Sequence, residues 1–224
     1  MRKLIIVTIL CASGLPLFAQ AADVTRLVPG AESQLTALLN KPAMVRPAVA
    51  TPLGRNWFRL ETDAHIFTNE VTLRQVASVL QDLDNQDKIY NGKKSKLSAK
   101  IVSTGASESI VDFISISVGP LGIQIRTPYR ASVRTTENTD SRFVVEVRQL
   151  SQNSETNNDI KNLFATRYAE EVTIGGNTYT YIRIYTINEI NASILPGAKG
   201  TLENNSAPVN EETLQMIITA AKQR

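Results

Sequence analysis

Beyond Lys93 the apolar and polar positions of this chain alternate with a period of two, in KLSAKIVSTG, ESIVDFISISVG, LGIQIRTPYRASVRTTE and SRFVVEVRQLSQ. Alternation puts successive side chains on opposite faces of a pleated strand. The Gly, Ser, Asn and Asp clusters between the segments supply turns, so the region predicts an antiparallel meander. The third segment is the clearest: Ile123, Ile125, Tyr129, Ala131 and Val133 share one face, while Gln124, Arg126, Arg130 and Arg134 share the other. One side of this sheet therefore meets a core or cavity and the other meets water. After a polar stretch from Ser151 to Asp159, IKNLFATRY reads as a short helical or irregular piece. The strands resume in EEVTIGGNTYTYIRIYTINEI, where Gly175 and Gly176 signal a hairpin.

Helical periodicity appears in two places. After a first strand in WFRLETDAHIF, the residues Val71, Val76, Val79, Leu80 and Leu83 recur at helical spacing, with Thr68 or Asn69 as the cap. That helix should fade near Asp84 to Asp87, before a turn at Asn91 and Gly92. The chain closes with NEETLQMIITAAKQR, in which Asn210 is the expected N-cap and Leu214, Ile217, Ile218 and Ala221 form the apolar face. Glu211 and Glu212 then lie at the positive end of its dipole, and Lys222 and Arg224 at the negative end. Pro196, Gly197, Gly200 and Pro208 mark a loop before it. Upstream, Leu35, Leu38 and Leu39 share a face of a short helical arm, and Pro42, Pro47 and Pro52 punctuate an extended linker.

The first residues change the setting. Arg2 and Lys3 precede an apolar run from Leu4 to Phe18 and the small-residue site Ala19-Gln20-Ala21, the pattern of a cleaved secretory signal. The run is short for a spanning helix and is broken by Gly14 and Pro16; no later stretch is apolar enough to cross a membrane. The chain thus divides into a signal at 1–21, an arm and linker at 22–55, and a main domain at 56–224. Cys11, the sole cysteine, lies inside the signal behind Leu10, a residue too large for a lipoprotein site. Disulfides and a thiol nucleophile are excluded for the mature chain, which suits a bacterial periplasm or exterior. The excess of 24 Lys and Arg over 21 Asp and Glu nearly vanishes once Arg2 and Lys3 leave, so charge gives no reason to expect nucleic acid.

Strand, helix, a long antiparallel run and one final amphipathic helix make an α+β plan. A curved sheet cannot bury its concave face against itself, and the last helix is the available cover. In this order the chain resembles the START-like superfamily, the SRPBCC or polyketide cyclase/dehydrase and lipid transport group. The resemblance runs from about Asn56 to Arg224. It is carried by VTLRQVASVLQDLDNQDKIYNGKKSKLSAKIVSTG, ESIVDFISIS, PYRASVRTTENTDSRFVVEV and YTYIRIYTINEIN leading into the final helix. The resemblance implies a helix-grip fold, a curved antiparallel sheet wrapped around a long C-terminal helix, with an internal cavity. It implies a lipid or other hydrophobic small molecule as partner, no cofactor, and cyclisation or hydrolysis in a minority of members.

Within that frame the cavity wall would comprise Ile123, Ile125, Tyr129, Ala131 and Val133 on the strand and Leu214, Ile217, Ile218 and Ala221 on the helix. The same residues could equally fill a solid core. Asp112, the one charge on the strand parity of Ile110, Ile114, Ile116 and Val118, is a candidate polar anchor if that face is inward. Arg183 shares a parity with Tyr179, Tyr181 and Tyr185, which offers either hydroxyls and a cation to a head group or a stacked, half-exposed sheet surface.

No catalytic or metal-binding residue is assigned. His65 is the only histidine, and no metal, nucleophile-elbow or phosphate-loop motif is present. The run Asp82, Asp84, Asp87 invites a calcium reading. Counted from Asp82, however, an EF-hand would need glycine where Asp87 stands and glutamate where Lys93 stands. It reads instead as the solvated end of a helix, with Ile89 and Tyr90 turning inward to close one end of the cavity. Three functions stay open: a carrier of an amphipathic ligand, a cyclase or hydrolase using the same cavity, and a protein-binding module acting through the arm or the arginine face.

Overall fold

The computed structural model describes residues 26–28, 44, 45, 47–118, 122, 124–152, 160–174, 176–193, 195 and 197–224. The expected signal, the helical arm at 30–40, Ile123, Gly175 and Pro196 lie outside the described residues. Among the described residues nine strands form one curved antiparallel sheet. They are β1 (Met44–Val45), β2 (Val49–Gly54), β3 (Trp57–Thr68), β4 (Ser95–Thr104), β5 (Glu108–Val118), β6 (Gln124–Asn138), β7 (Arg142–Gln152), β8 (Ile160–Ile174) and β9 (Asn177–Asn191). The sheet order is β1-β3-β9-β8-β7-β6-β5-β4, with β2 also paired to β3. The α-helices that concern the sheet are α1 (Leu73–Gln81), the single turn α2 (Gln86–Ile89) and α3 (Ala198–Ala221), with a 3-10 turn at Leu83–Asn85 between the first two. Among the described residues no helix is long and apolar enough to cross a membrane.

Helix α1 starts at a capping box rather than at Thr68 or Asn69. The Thr72 hydroxyl accepts from the Gln75 amide, and the Gln75 side chain accepts from the Thr72 amide. Two of the orphan donors of the first turn are satisfied reciprocally, which fixes the start. Val71 and Val76, on either side of the cap, join the same core.

Two expectations need correction. IKNLFATRY is neither helical nor irregular but the first part of β8. A bulge between Lys161 and Phe164, with Asn162 at φ 51°, breaks the alternation there and hid the strand. Helix α3 begins at Ala198, about three turns before Asn210, and carries Pro208 inside it. A proline removes one backbone donor but does not stop a helix held by tertiary packing on both sides. Leu202 supplies that packing upstream, against Ala48, Ala50, Leu60, Ala192 and Leu195. The proline-marked linker thus contributes an edge strand and part of a core.

The sheet's two faces follow directly from register. Val111 and Phe113 of β5 stand opposite Ala131 and Tyr129 of β6, and Val145 of β7 opposite Arg167 of β8, all on the concave side. Helices α1 and α3 pack into this side, where Val76, Val79 and Leu80 meet Leu214, Ile217, Ile218 and Ala221. On the convex side the short segment 26–28 lies over the sheet. Leu27 and Val28 pack with Phe67, Val172, Ile174 and Tyr181, and Arg26 pairs with Glu170 at 2.6 Å.

A half-filled groove as the candidate ligand site

The concave groove is packed with large apolar side chains toward one end and open toward the other, and the change follows the sequence of each strand. On β5 the inward residues run Val111, Phe113, Ser115, Ser117; on β9 they run Ile182, Ile184, Thr186, Asn188, Ile190. Helix α3 changes in the same direction, from Leu214, Ile217 and Ile218 to Thr213, Asn210, Ser206 and Asn205. Large apolar side chains interdigitate and exclude water, whereas serines, threonines and asparagines neither fill the volume nor favour collapse. The result is a cavity of about 290 Å³ between the sheet and the N-terminal half of α3. Phe113 and Tyr129, stacked with ring centroids 5.3 Å apart, stand where the packed part ends.

Only two charged residues line this cavity among the described residues, and both are cations: Lys96, which is exposed, and Arg167, which is half-buried. Arg167 projects from β8 between two small neighbours of the same parity, Ala165 and Ala169, which leave room for it. Its guanidinium lies over the ring of Tyr90, 4.8 Å from the centroid. One of its nitrogens donates to Gln86 Oε1 at 3.4 Å, and Gln86 Nε2 donates to the Asp82 carbonyl at 2.7 Å. Burial pushes the phenols of Tyr90 and Tyr129 up, Tyr129 to about 12, against an opposing pull from the Arg167 charge. The Tyr90 hydroxyl and Asn188 Oδ1 are buried on this wall with no hydrogen-bond partner among the described residues.

The sequence matches no protein-family model and no curated protein. Solved structures do match. Human StAR-related lipid transfer protein 5 superposes with a TM-score of 0.53 at 11% identity, covering 92% of this chain and 98% of that one. The Zhui aromatase/cyclase from Streptomyces sp. R1128 gives 0.50 at 14% identity, over 75% of this chain and 95% of that chain. Human STARD10 gives 0.50 at 8% identity, over 78% and 73%. This chain has the START-like helix-grip fold. At such low identity the likeness is one of architecture, and a shared architecture does not carry a shared site.

Set on the helix-grip fold, the residues expected at the site divide. Ile125 and Tyr129 line the cavity. Ala131 and Val133 face the same way but sit in the filled part, Ala131 fully buried. Leu214, Ile217, Ile218 and Ala221 also belong to the filled part, because the helix half that is apolar enough to be recognised is the half that packs. Asp112 is not a cavity anchor. The inward parity of β5 is that of Val111 and Phe113, so Asp112 faces outward and pairs with Arg130 through bonds of 2.7 and 2.8 Å. That guanidinium, opposed by slight burial, holds the Asp112 carboxyl below its usual range.

Arg183 is on the convex face as well, with bonds of 2.8 and 3.1 Å to Asp63 and its guanidinium 5.2 Å from the Tyr185 centroid. The tyrosine row is therefore a sheet surface, and Tyr181 is buried there beneath segment 26–28, donating to the Leu27 carbonyl at 3.1 Å. His65 lies in the same layer, its Nδ1 2.6 Å from Tyr181 Oη and its Nε2 3.1 Å from Asp63 Oδ1. In the aspartate run, Asp82 caps a turn by accepting from the Asn85 amide at 3.2 Å and pairs with Arg224, while Asp84 and Asp87 are exposed. Ile89 and Tyr90 are turned inward, as the sequence indicated, and Tyr90 closes one end of the cavity.

Proposed function

We propose that this chain is a secreted or periplasmic carrier that holds an amphipathic or hydrophobic small molecule in the groove between the sheet and α3. The observation that carries this reading is the cavity wall. It combines Leu60, Ile125, Ile184, Ile190 and Leu202 with scattered uncharged hydroxyls and amides, and among the described residues it contains no carboxylate and no histidine. Apolar walls with a few convergent polar groups suit retention of a small molecule. General acid-base chemistry near neutral pH would instead need a group titrating there, and the two buried phenols are displaced upward, away from that range. The matched human StAR-related lipid transfer protein 5 carries a lipid-transfer name, which supports the lipid-like ligand class. The Arg2-Lys3 start and the Ala19-Gln20-Ala21 site support export.

The test is direct. Protein purified from its native compartment should release a lipid-like molecule on solvent extraction, or take up the neutral fluorescent probe N-phenyl-1-naphthylamine with saturable stoichiometry. Failure of both would overturn the carrier. Export is checked by fractionation and by the N-terminus of the mature chain, expected at Ala22.

A further inference from the structure

Resting on the carrier reading, we propose that the ligand is an amphipath with an anionic head group, a carboxylate or a phosphate, received by Arg167 beside the Tyr90 hydroxyl. A guanidinium stays charged at any physiological pH, and taking it out of water is costly unless it is compensated. Here compensation is incomplete. Arg167 carries five N–H donors but makes one long bond, to the neutral Gln86 amide, and lies on the face of Tyr90, with no carboxylate partner among the described residues. Arg26, Arg130, Arg183 and Arg224, by contrast, each pair with a carboxylate.

Gln86 positions the guanidinium without neutralising it. Its Nε2 is committed to the Asp82 carbonyl at 2.7 Å, so Oε1 is the atom turned to Arg167. A glutamate there would cancel the charge; an amide leaves it available. The hydroxyl of Tyr90, a residue 3% exposed, has no hydrogen-bond partner among the described residues and is a second donor on the same wall. An anion bridging the two would satisfy both, and charge-assisted bonds of this kind are the strong ones.

The tail has a place as well. Arg167 pairs with Ile184 across the β8–β9 ladder, and Ile190 lies six residues further along β9, roughly 20 Å away at the usual strand rise. Ile190 meets Leu60, Leu195 and Leu202 there. A single alkyl chain can run from the cation to that cluster along one strand.

Displacement of bound N-phenyl-1-naphthylamine by dodecanoate, dodecyl phosphate and dodecanol tests this at pH 7.5. At least one anion should compete about tenfold or more better than the alcohol, the worth of one charge-assisted bond. Arg167→Leu should bring the anions to the level of dodecanol, and Arg167→Lys should restore part of the preference. Equal competition by all three in the unaltered protein, which needs no variant to fold, overturns the head-group assignment and leaves the carrier standing. So does a preference that survives Arg167→Leu. Displacement by inorganic phosphate or acetate as effective as by the dodecyl anions overturns the amphipath. Failure to bind the probe or any dodecyl compound overturns carrier and head group together.

Discussion

The Glu212 carboxylate of α3 lies against Gly92, in the space that a β-carbon on residue 92 would need. From there Oε1 accepts from the Lys93 amide at 2.8 Å, and Oε2 from the amides of Lys94 and Ser95 at 2.9 and 3.0 Å. Three consecutive backbone donors converge on one carboxylate, a nest that binds an anion from the protein's own chain. The contact joins the middle of α3 to the start of β4 at Ser95, on the cavity rim.

Glu212→Ala should cost about 1–2 kcal/mol, the upper end of a net hydrogen-bond contribution given partial exposure. Gly92→Ala should cost a similar amount by forcing the carboxylate away. Because both changes break one contact, the double variant should fall short of the sum of the singles, and urea unfolding of the four proteins measures the shortfall. Additive losses would show that the glycine and the carboxylate act independently.

The two halves of α3 should respond differently to truncation. Ile217→Ala removes a fully buried side chain from the filled part of the groove and should cost about 2–5 kcal/mol. Asn205→Ala removes a half-buried amide that faces the cavity, and should change stability by less than about 0.5 kcal/mol. Denaturant midpoints at a constant slope decide it.

What the sequence showed and what it hid follow the same division. Strands such as Gln124–Asn138 alternate cleanly because one face is apolar, and the last two turns of α3 stand out because Leu214, Ile217, Ile218 and Ala221 form a stripe. The half of α3 over the cavity has no such stripe. Thr201, Asn205, Val209 and Thr213 recur every four residues, as an inward face must, but most are polar and Pro208 among them reads as a stop. The same holds for Arg167. Leu163, Ala165, Arg167 and Ala169 keep strand parity, yet the bulge at Asn162 disguised the strand, and a charge on an inward parity reads as irregularity. The parts made for packing are legible because packing selects apolar residues. The parts made to leave room select small and polar ones, which look like loop.

Thr186→Phe distinguishes a cavity from a core that merely looks loose. Its neighbours across the ladders, Thr62 and Ala165, are small, and all three line the open part of the groove. In a filled interior the added ring would cost about 1–3 kcal/mol through strain. In the cavity it should leave stability within about 1 kcal/mol and abolish uptake of N-phenyl-1-naphthylamine. A strongly destabilised variant would show that the groove has no spare volume.

Acid sensitivity should trace in part to Asp63. Burial pushes its carboxyl up, but the hydrogen bonds and charges of His65 and Arg183 outweigh that and bring it from the usual 3.8 down to about 2. The sign follows. Between those two values the unfolded chain binds a proton at Asp63 that the folded chain does not, so stability rises with pH across the window. The contribution is full above about pH 4 and is lost as pH falls through 2. After allowance for solvent screening it is worth about 1–2 kcal/mol. Asp82 and Asp112 are also held low by Asn85 with Arg224 and by Arg130, and slope the profile in the same direction, so the readout is the difference between wild type and Asp63→Asn. That difference, from urea unfolding at each pH, should be largest at pH 5 and shrink steadily toward pH 2. A difference that stays constant across the window would mean that the cost of the substitution is packing beside His65, and that the Asp63–Arg183 pair carries no charge-dependent stability.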